Sequence, residues 1–301
     1  MNAIEIKNLT KSFGKKQALK GLDMEVPEGA VYGFIGENGS GKSTTEKLVC
    51  GLLNPDGGQI RLFGKDHTDP DVRAKMGVLI EAPGCFPNYS VWNNMLLQAA
   101  NLRLRRPEQE IRKVLKLVRM EGAASNKYKN CSLGMKQRIG IAMALLGSPK
   151  LLVLDEPVNG LDADGMRILR DILMDLAQKG GCTILISSHI LGELEKVATH
   201  YGIIRGGKLI AQMTARELEA DCPVYIALKT GNMEKTKNLL QQKYEKVEED
   251  EKGYLRVYDD AESGNIAFWL HQRGITVSEI GTDKISLEEY YMDLMDKKGA
   301  R

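Results

Sequence analysis

Residues Gly36-Glu37-Asn38-Gly39-Ser40-Gly41-Lys42-Ser43 fit the pattern G-x-x-x-x-G-K-[ST], and their flanks narrow the fold. The preceding run, Val31-Tyr32-Gly33-Phe34-Ile35, is short and apolar, as a fully buried strand is. From Lys42 to about Cys50 the pattern is helical, and Gly51 closes it. A buried strand, a glycine loop and a helix in that order predict an α/β core with an anion site at the strand's carboxyl end. The glycines let the backbone curl so that its N–H groups converge on one point. The helix N-terminus adds partial positive charge there. Lys42 is then expected to reach the β- and γ-phosphates of a nucleotide, and the Ser43 hydroxyl to hold Mg²⁺. Gly36, Glu37, Asn38, Gly39, Ser40, Gly41, Lys42, Ser43 and Thr44 form the expected nucleotide-binding run. A glycine turn before an ordinary helix is the bland alternative, and a second motif weighs against it.

That second motif is Leu151-Leu152-Val153-Leu154-Asp155-Glu156-Pro157. Two acids end a four-residue apolar run. A carboxylate is costly in a core unless paired or coordinated, but at a strand's carboxyl end it faces the ligand crevice. Asp155 is expected to hold Mg²⁺, directly or through water. Glu156 is expected to polarise the attacking water as general base. Alone, the pair also fits a solvated acidic turn.

Between the two motifs lies Cys131-Ser132-Leu133-Gly134-Met135-Lys136-Gln137-Arg138. It resembles the signature of ABC ATPases, usually Leu-Ser-Gly-Gly-Gln, keeping Ser132 and Gly134 and departing at Cys131, Leu133 and Met135. Other matches follow in that family's order. Phe13 looks like the aromatic that stacks on adenine, Asp162 like the acid that crosses the dimer interface, and His189 in Ser187-Ser188-His189 like the histidine that contacts the γ-phosphate. The resemblance covers about 1–218. It implies a P-loop NTPase fold of the ABC-ATPase type, a mixed sheet core with a helical subdomain at about 83–130. It also implies ATP and Mg²⁺ as ligands, and catalysis by Glu156, His189 and Lys42.

Two positions depart further. Glu81, in Ile80-Glu81-Ala82-Pro83-Gly84, stands where the family carries glutamine. An oxygen there still suits Mg²⁺, so Glu81 joins Ser43 and Asp155 as an expected metal-binding residue, with an added negative charge that should alter metal affinity. Glu46, in the helix after the glycine loop, replaces a usually apolar residue. The Ile-Glu-x-Pro-Gly run, the Ser-Leu-Gly-Met-Lys-Gln-Arg signature and the ending Ser286-Leu287-Glu288-Glu289-Tyr290-Tyr291 resemble the branch that exports bacitracin and lantibiotics.

The family's site is split: the signature serine and helix N-terminus of one subunit bind the γ-phosphate of ATP held by the other. With one copy of each motif this chain cannot close a site alone. A nucleotide-binding dimer, homo- or heteromeric, is therefore expected, together with a separate transmembrane permease. No apolar run approaches the roughly 20 residues that span a bilayer. The start, Met1-Asn2-Ala3-Ile4-Glu5-Ile6-Lys7, alternates like a strand rather than a signal peptide. A cytoplasmic location, peripheral on the membrane's inner face through that partner, is expected. The alternative is a soluble ABC ATPase acting on ribosomes or DNA. The net charge of +2 gives no basic face for nucleic acid, and neither tandem nucleotide domains nor a long heptad run is present. Five scattered cysteines, without a Cys-x-x-Cys pair, exclude a zinc site and read as small buried residues.

After about 218 the charge rises. Strands at 224–228, 254–258 and 275–280 alternate with helices at 233–244, 261–272 and 286–295. A small α/β accessory domain over 219–301, of split βαβ type, is expected. The stretch 245–252 has Val247 as its one apolar residue and carries no expected element.

Overall fold

The computed structural model describes residues 1–250, 252–258 and 263–299. It divides into two units, Met1–Ala215 and Arg216–Arg301.

The first unit opens on two long antiparallel strands, β1 (Asn2–Phe13) and β2 (Lys16–Pro27). β3 (Val31–Ile35) is buried throughout and leads through the glycine loop into α1 (Lys42–Val49). Then come β4 (Gly57–Leu62), β5 (Lys65–Asp66), the short α2 (Pro70–Arg73) and β6 (Met76–Leu79). Three helices follow: α3 (Val91–Asn101), α4 (Pro107–Leu117) and α5 (Leu133–Leu145). They pack on one another, α3 and α4 along the stripe that contains Ile111, Val114 and Leu115. β7 (Leu151–Asp155), α6 (Ala163–Gly180), β8 (Thr183–Ser187), α7 (Leu191–Leu194), β9 (His200–Arg205) and β10 (Lys208–Thr214) complete the unit.

Two sheets result. One has the order β2-β1-β4-β5 and is antiparallel. The other has the order β10-β9-β3-β8-β7-β6, parallel except for the β10 edge. β3, β7 and β8 sit inside it, and every one of their residues is buried, which accounts for their unbroken apolar runs. From β3 the chain returns to this sheet at β6 on one side, whereas from the neighbouring β8 it crosses to β9 on the other, so adjacent strands connect in opposite directions. Ligand crevices form at such points.

Alternation of apolar and polar residues suggests strands over 4–9 and 22–26, whereas β1 and β2 run for 12 residues each. The register breaks between Ile6 and Leu9, where Asn8 takes φ 47° and both Lys7 and Asn8 are exposed. A bulge interrupts the inside–outside alternation while the backbone ladder continues.

In the second unit, α8 (Ala215–Asp221) precedes β11 (Val224–Thr230), α9 (Met233–Leu240), β12 (Val247–Glu249), β13 (Leu255–Val257), α10 (Ser263–His271), β14 (Val277–Lys284) and α11 (Leu287–Gly299). The antiparallel order β12-β13-β11-β14 puts the first and third of these strands side by side, the split βαβ arrangement. Ile226, Leu228, Leu255 and Val257 form its core with Leu240, Ile266 and Leu270 of α9 and α10. β12 is an edge strand in the stretch that carried no expected element. Val247 alone faces the core there, and backbone pairing with β13 supplies the rest. The helix expected at 261–272 is seen from Ser263, its first two positions lying outside the described residues.

Candidate nucleotide site

The glycine loop is built as its sequence requires. Gly41, at the N-cap of α1, has φ 118°, and a Cβ there would stand 2.8 Å from Leu19 Cδ2. At Gly36 a Cβ would meet Ile204 O at 2.5 Å. Neither position admits a side chain, so the loop can lie flat over the sheet edge. Lys42 is 6% exposed, and its Nζ donates to Gly36 O at 2.5 Å and Glu37 O at 3.3 Å. The ammonium is thus folded back across the loop, a cation held where anionic oxygens would come.

β3 delivers the loop, and β7 and β8 deliver its partners. Ser43 Oγ donates to Asp155 Oδ1 at 3.2 Å, and Ser187 Oγ donates to the same oxygen at 2.9 Å. Asp155, 6% exposed, thus accepts from two hydroxyl donors. One residue on, Glu156 adopts φ 48°, an uncommon left-handed conformation for a glutamate. Its amide donates to Ser187 O and Oγ, each at 3.2 Å. Its Oε2 lies 2.6 Å from His189 Nδ1 and accepts from the His189 amide at 3.3 Å. The strained turn aims Glu156 away from Asp155 and couples it to the histidine that follows β8.

Lys42, Ser43, Asp155 and Glu156 line one cleft of about 410 Å³, together with Phe13 from the end of β1 and Glu81 from the end of β6; Ser187 and His189 stand outside its lining, bonded to Asp155 and Glu156. Phe13 is half exposed, with Lys11 Nζ 5.7 Å from its ring centre. Glu81 has φ 63°, and its carboxylate stands 2.5 Å from Lys47 Nζ.

The signature stands apart from this cleft. Ser132 caps α5, its Oγ accepting from the Met135 amide at 3.2 Å. Leu133 is 69% exposed, and none of Ser132, Leu133, Gly134 and Met135 lines the cleft. Gln137, one turn further along α5, does line it and donates to Pro157 O at 3.0 Å, fastening α5 to the turn after Glu156. Asp162 caps α6, accepting from the Gly165 amide at 2.8 Å, and lies 3.7 Å from Arg138. Within one chain, then, Lys42, Ser43, Asp155, Glu156, His189, Phe13 and Glu81 come together, while the signature and Asp162 do not join them.

Glu46 is fully buried on α1, and neither carboxyl oxygen has a partner at full hydrogen-bond geometry, although Ser187 and Asp155 stand close enough to act on it. Burial pushes its carboxyl well above the usual range, and the charge of Asp155 adds to that; Ser187 and Lys42 oppose it. No local motif assigns a part to Ser187 as the second donor to Asp155, or to Lys47 as the partner of Glu81. The signal for Lys47 was its place four residues after Ser43, on one face of α1.

A family model for the ABC transporter matches residues 19–159. Over 297 residues the chain is 35% identical to the bacitracin transport ATP-binding protein BcrA of Bacillus licheniformis, covering 97% of each. This chain belongs to the ABC transporter ATP-binding proteins. It is 43% identical over 209 residues to the lantibiotic transport ATP-binding protein SrtF of Streptococcus pyogenes, covering 69% of this chain and 90% of that one. Among solved structures, an ATP-binding subunit of an ABC transporter superposes with TM-score 0.67 at 29% identity, covering 73% of this chain and 92% of that one. A dimeric ATP-binding cassette holding ADP and Pi shares the fold, with TM-score 0.66 at 23% identity, covering 71% and 99%. The protein is accordingly an ATP-binding, ATP-hydrolysing transporter subunit. The named relatives are transport subunits, in line with the transport reading over action on ribosomes or DNA. Among the described residues, no helix is long and apolar enough to cross a membrane.

Proposed function

We propose that this subunit hydrolyses MgATP between two nucleotide-binding subunits and thereby drives export of a peptide antibiotic through a separate transmembrane permease. The observation that carries the site reading is the chain of contacts from Ser43 through Asp155 and Ser187 to Glu156 and His189. The oxygen donors of Ser43 and Asp155 suit a hard cation, and Glu81 is the third candidate at the same cleft. Mg²⁺ held there would neutralise charge on the phosphate oxygens. Phe13 offers its ring to adenine. Lys42 and the loop amides hold the β- and γ-phosphates. Glu156 accepts the proton of the attacking water, and His189, bonded to the same carboxylate, steadies its orientation and faces the γ-phosphate.

Ser132, Leu133, Gly134 and Met135 complete the site of a second subunit. The outward position of Leu133, and the placing of Ser132 at a helix N-terminus, support that reading. A two-fold arrangement then makes two sites at once, with ATP joining the subunits and hydrolysis releasing them. Asp162 lies beside that interface. The subunit works at the inner face of the membrane, held there by its permease. The cargo class rests on the relatives named for bacitracin and lantibiotic transport.

The test is Mg²⁺-dependent ATP hydrolysis as a function of protein concentration, for wild type and Glu156→Gln. Turnover should rise with concentration in the wild type and fall about 10²–10⁴-fold in the variant, with ATP still bound. Fast turnover by Glu156→Gln would remove Glu156 as the base.

A further inference from the structure

α1 presents Ser43 and Lys47 one turn apart on the same face. Lys47 Nζ pairs with Glu81, which stands 34 positions further along the chain at the end of β6. Glu81 lines the same cleft as Ser43 and Asp155. Its carboxylate therefore borders the cavity that the expected metal-binding pair also lines, yet is turned onto a lysine.

Two features explain why a cation is needed there. The cleft already holds Asp155 and Glu156, with Glu46 buried behind them, and Lys42 is occupied by loop carbonyls. A further carboxylate is repelled unless it has a counter-ion of its own. In addition, Glu81 sits at φ 63°, a backbone state that glutamate leaves readily unless its side chain is held. The pair is also weak enough to open, since Glu81 is 68% exposed and Lys47 30%.

We propose that Lys47 is a positioning residue for Glu81: it holds the carboxylate one helical turn from the metal position, and MgATP releases it by competing for the same oxygens. This rests on reading Ser43 and Asp155 as the metal-binding pair.

The experiment is calorimetric titration of Mg²⁺ into the full-length protein saturated with the non-hydrolysable analogue AMP-PNP. Wild type, Lys47→Met, Lys47→Arg, Glu81→Gln and the Lys47→Met/Glu81→Gln double variant are compared. Removing the lysine charge affects any nearby cation, and that part appears equally in both backgrounds. The competition appears only where Glu81 is present. Lys47→Met should therefore tighten Mg²⁺ binding about two- to fivefold more in the Glu81 background than in Glu81→Gln, the range for one exposed ion pair. Lys47→Arg should restore the wild-type affinity. Equal effects in the two backgrounds, or weaker Mg²⁺ binding by Lys47→Met alone, overturn the proposal. Affinity for AMP-PNP without Mg²⁺ is measured first. A wild-type chain that binds none overturns the nucleotide reading itself, and the exchange with it.

Discussion

Replacing Glu46 with leucine should stabilise the protein, and should do so in a pH-dependent way. Glu46 is 0% exposed and neither of its oxygens has a partner at full hydrogen-bond geometry, with Ser187 and Asp155 only alongside. An orphaned buried polar group costs about 1–3 kcal/mol. Leucine has a similar volume and needs no partner. The pH dependence follows from the raised carboxyl. In the unfolded chain the group titrates near its ordinary 4.5, whereas in the folded protein burial holds the proton to higher pH. Between the two values the native state binds the extra proton, so wild-type stability falls as pH rises above 4.5, by at most about 1.4 kcal/mol per pH unit. The leucine variant lacks that slope. Its advantage should be about 1–3 kcal/mol near pH 5, where the buried group stays protonated, and should grow towards pH 8 as the wild type loses stability. Glu46→Gln should lose the pH dependence while keeping part of the cost, because its amide is orphaned too. Urea unfolding in a Trp269→Phe background measures this. Trp92 is then the one remaining tryptophan and reports on the first unit. A leucine variant no more stable than wild type at pH 8, or a gap that does not narrow at pH 5, would refute the reasoning.

Three further outcomes are expected. Gly77→Ala puts a Cβ 2.0 Å from the backbone oxygen of Ala144, where β6 meets α5, and should cost about 2–4 kcal/mol in the same urea assay. Ser132→Ala removes the cap on α5 and should cost only about 1 kcal/mol, while ATP turnover falls at least about tenfold; turnover that tracks the stability loss alone would leave the serine a cap and no more. In the second unit Arg256 bonds Asp250 at 3.2 Å and Glu289 at 2.8 Å, with its own side chain 17% exposed. Arg256→Met should lower that unit's stability by about 2 kcal/mol, less than for a fully buried pair because Glu289 is partly solvated, read from Trp269 fluorescence during unfolding.

Local chemistry was legible wherever consecutive residues carry it. The glycine loop could be read because a positive φ at Gly41 and a bare Cα at Gly36 are demands on single positions. β3, β7 and β8 could be read because strands covered on both faces need unbroken apolar runs. β12 escaped because an edge strand with one inward residue is held by its neighbour's backbone, which leaves little mark on composition. The outer part of the β1–β2 hairpin, 10–13 and 16–21, escaped because Leu19 is its one buried residue and register shifts at Leu9/Thr10 and Lys11/Ser12 break the period.

The sequence by itself determined the nucleotide chemistry: a loop, a pair of acids and a capped helix, each made by residues adjacent in the chain. Only the tertiary structure decided which of them meet. Ser43 and Asp155 are 112 positions apart, Glu156 and His189 are 33, and Lys47 and Glu81 are 34. Sheet order sets those distances, and it depends on how strands far apart in sequence bury one another's faces. For the same reason the carboxyl of Glu46 could be named in the sequence as an oddity, but recognised as an energetic cost only once β7 and β8 had closed over it.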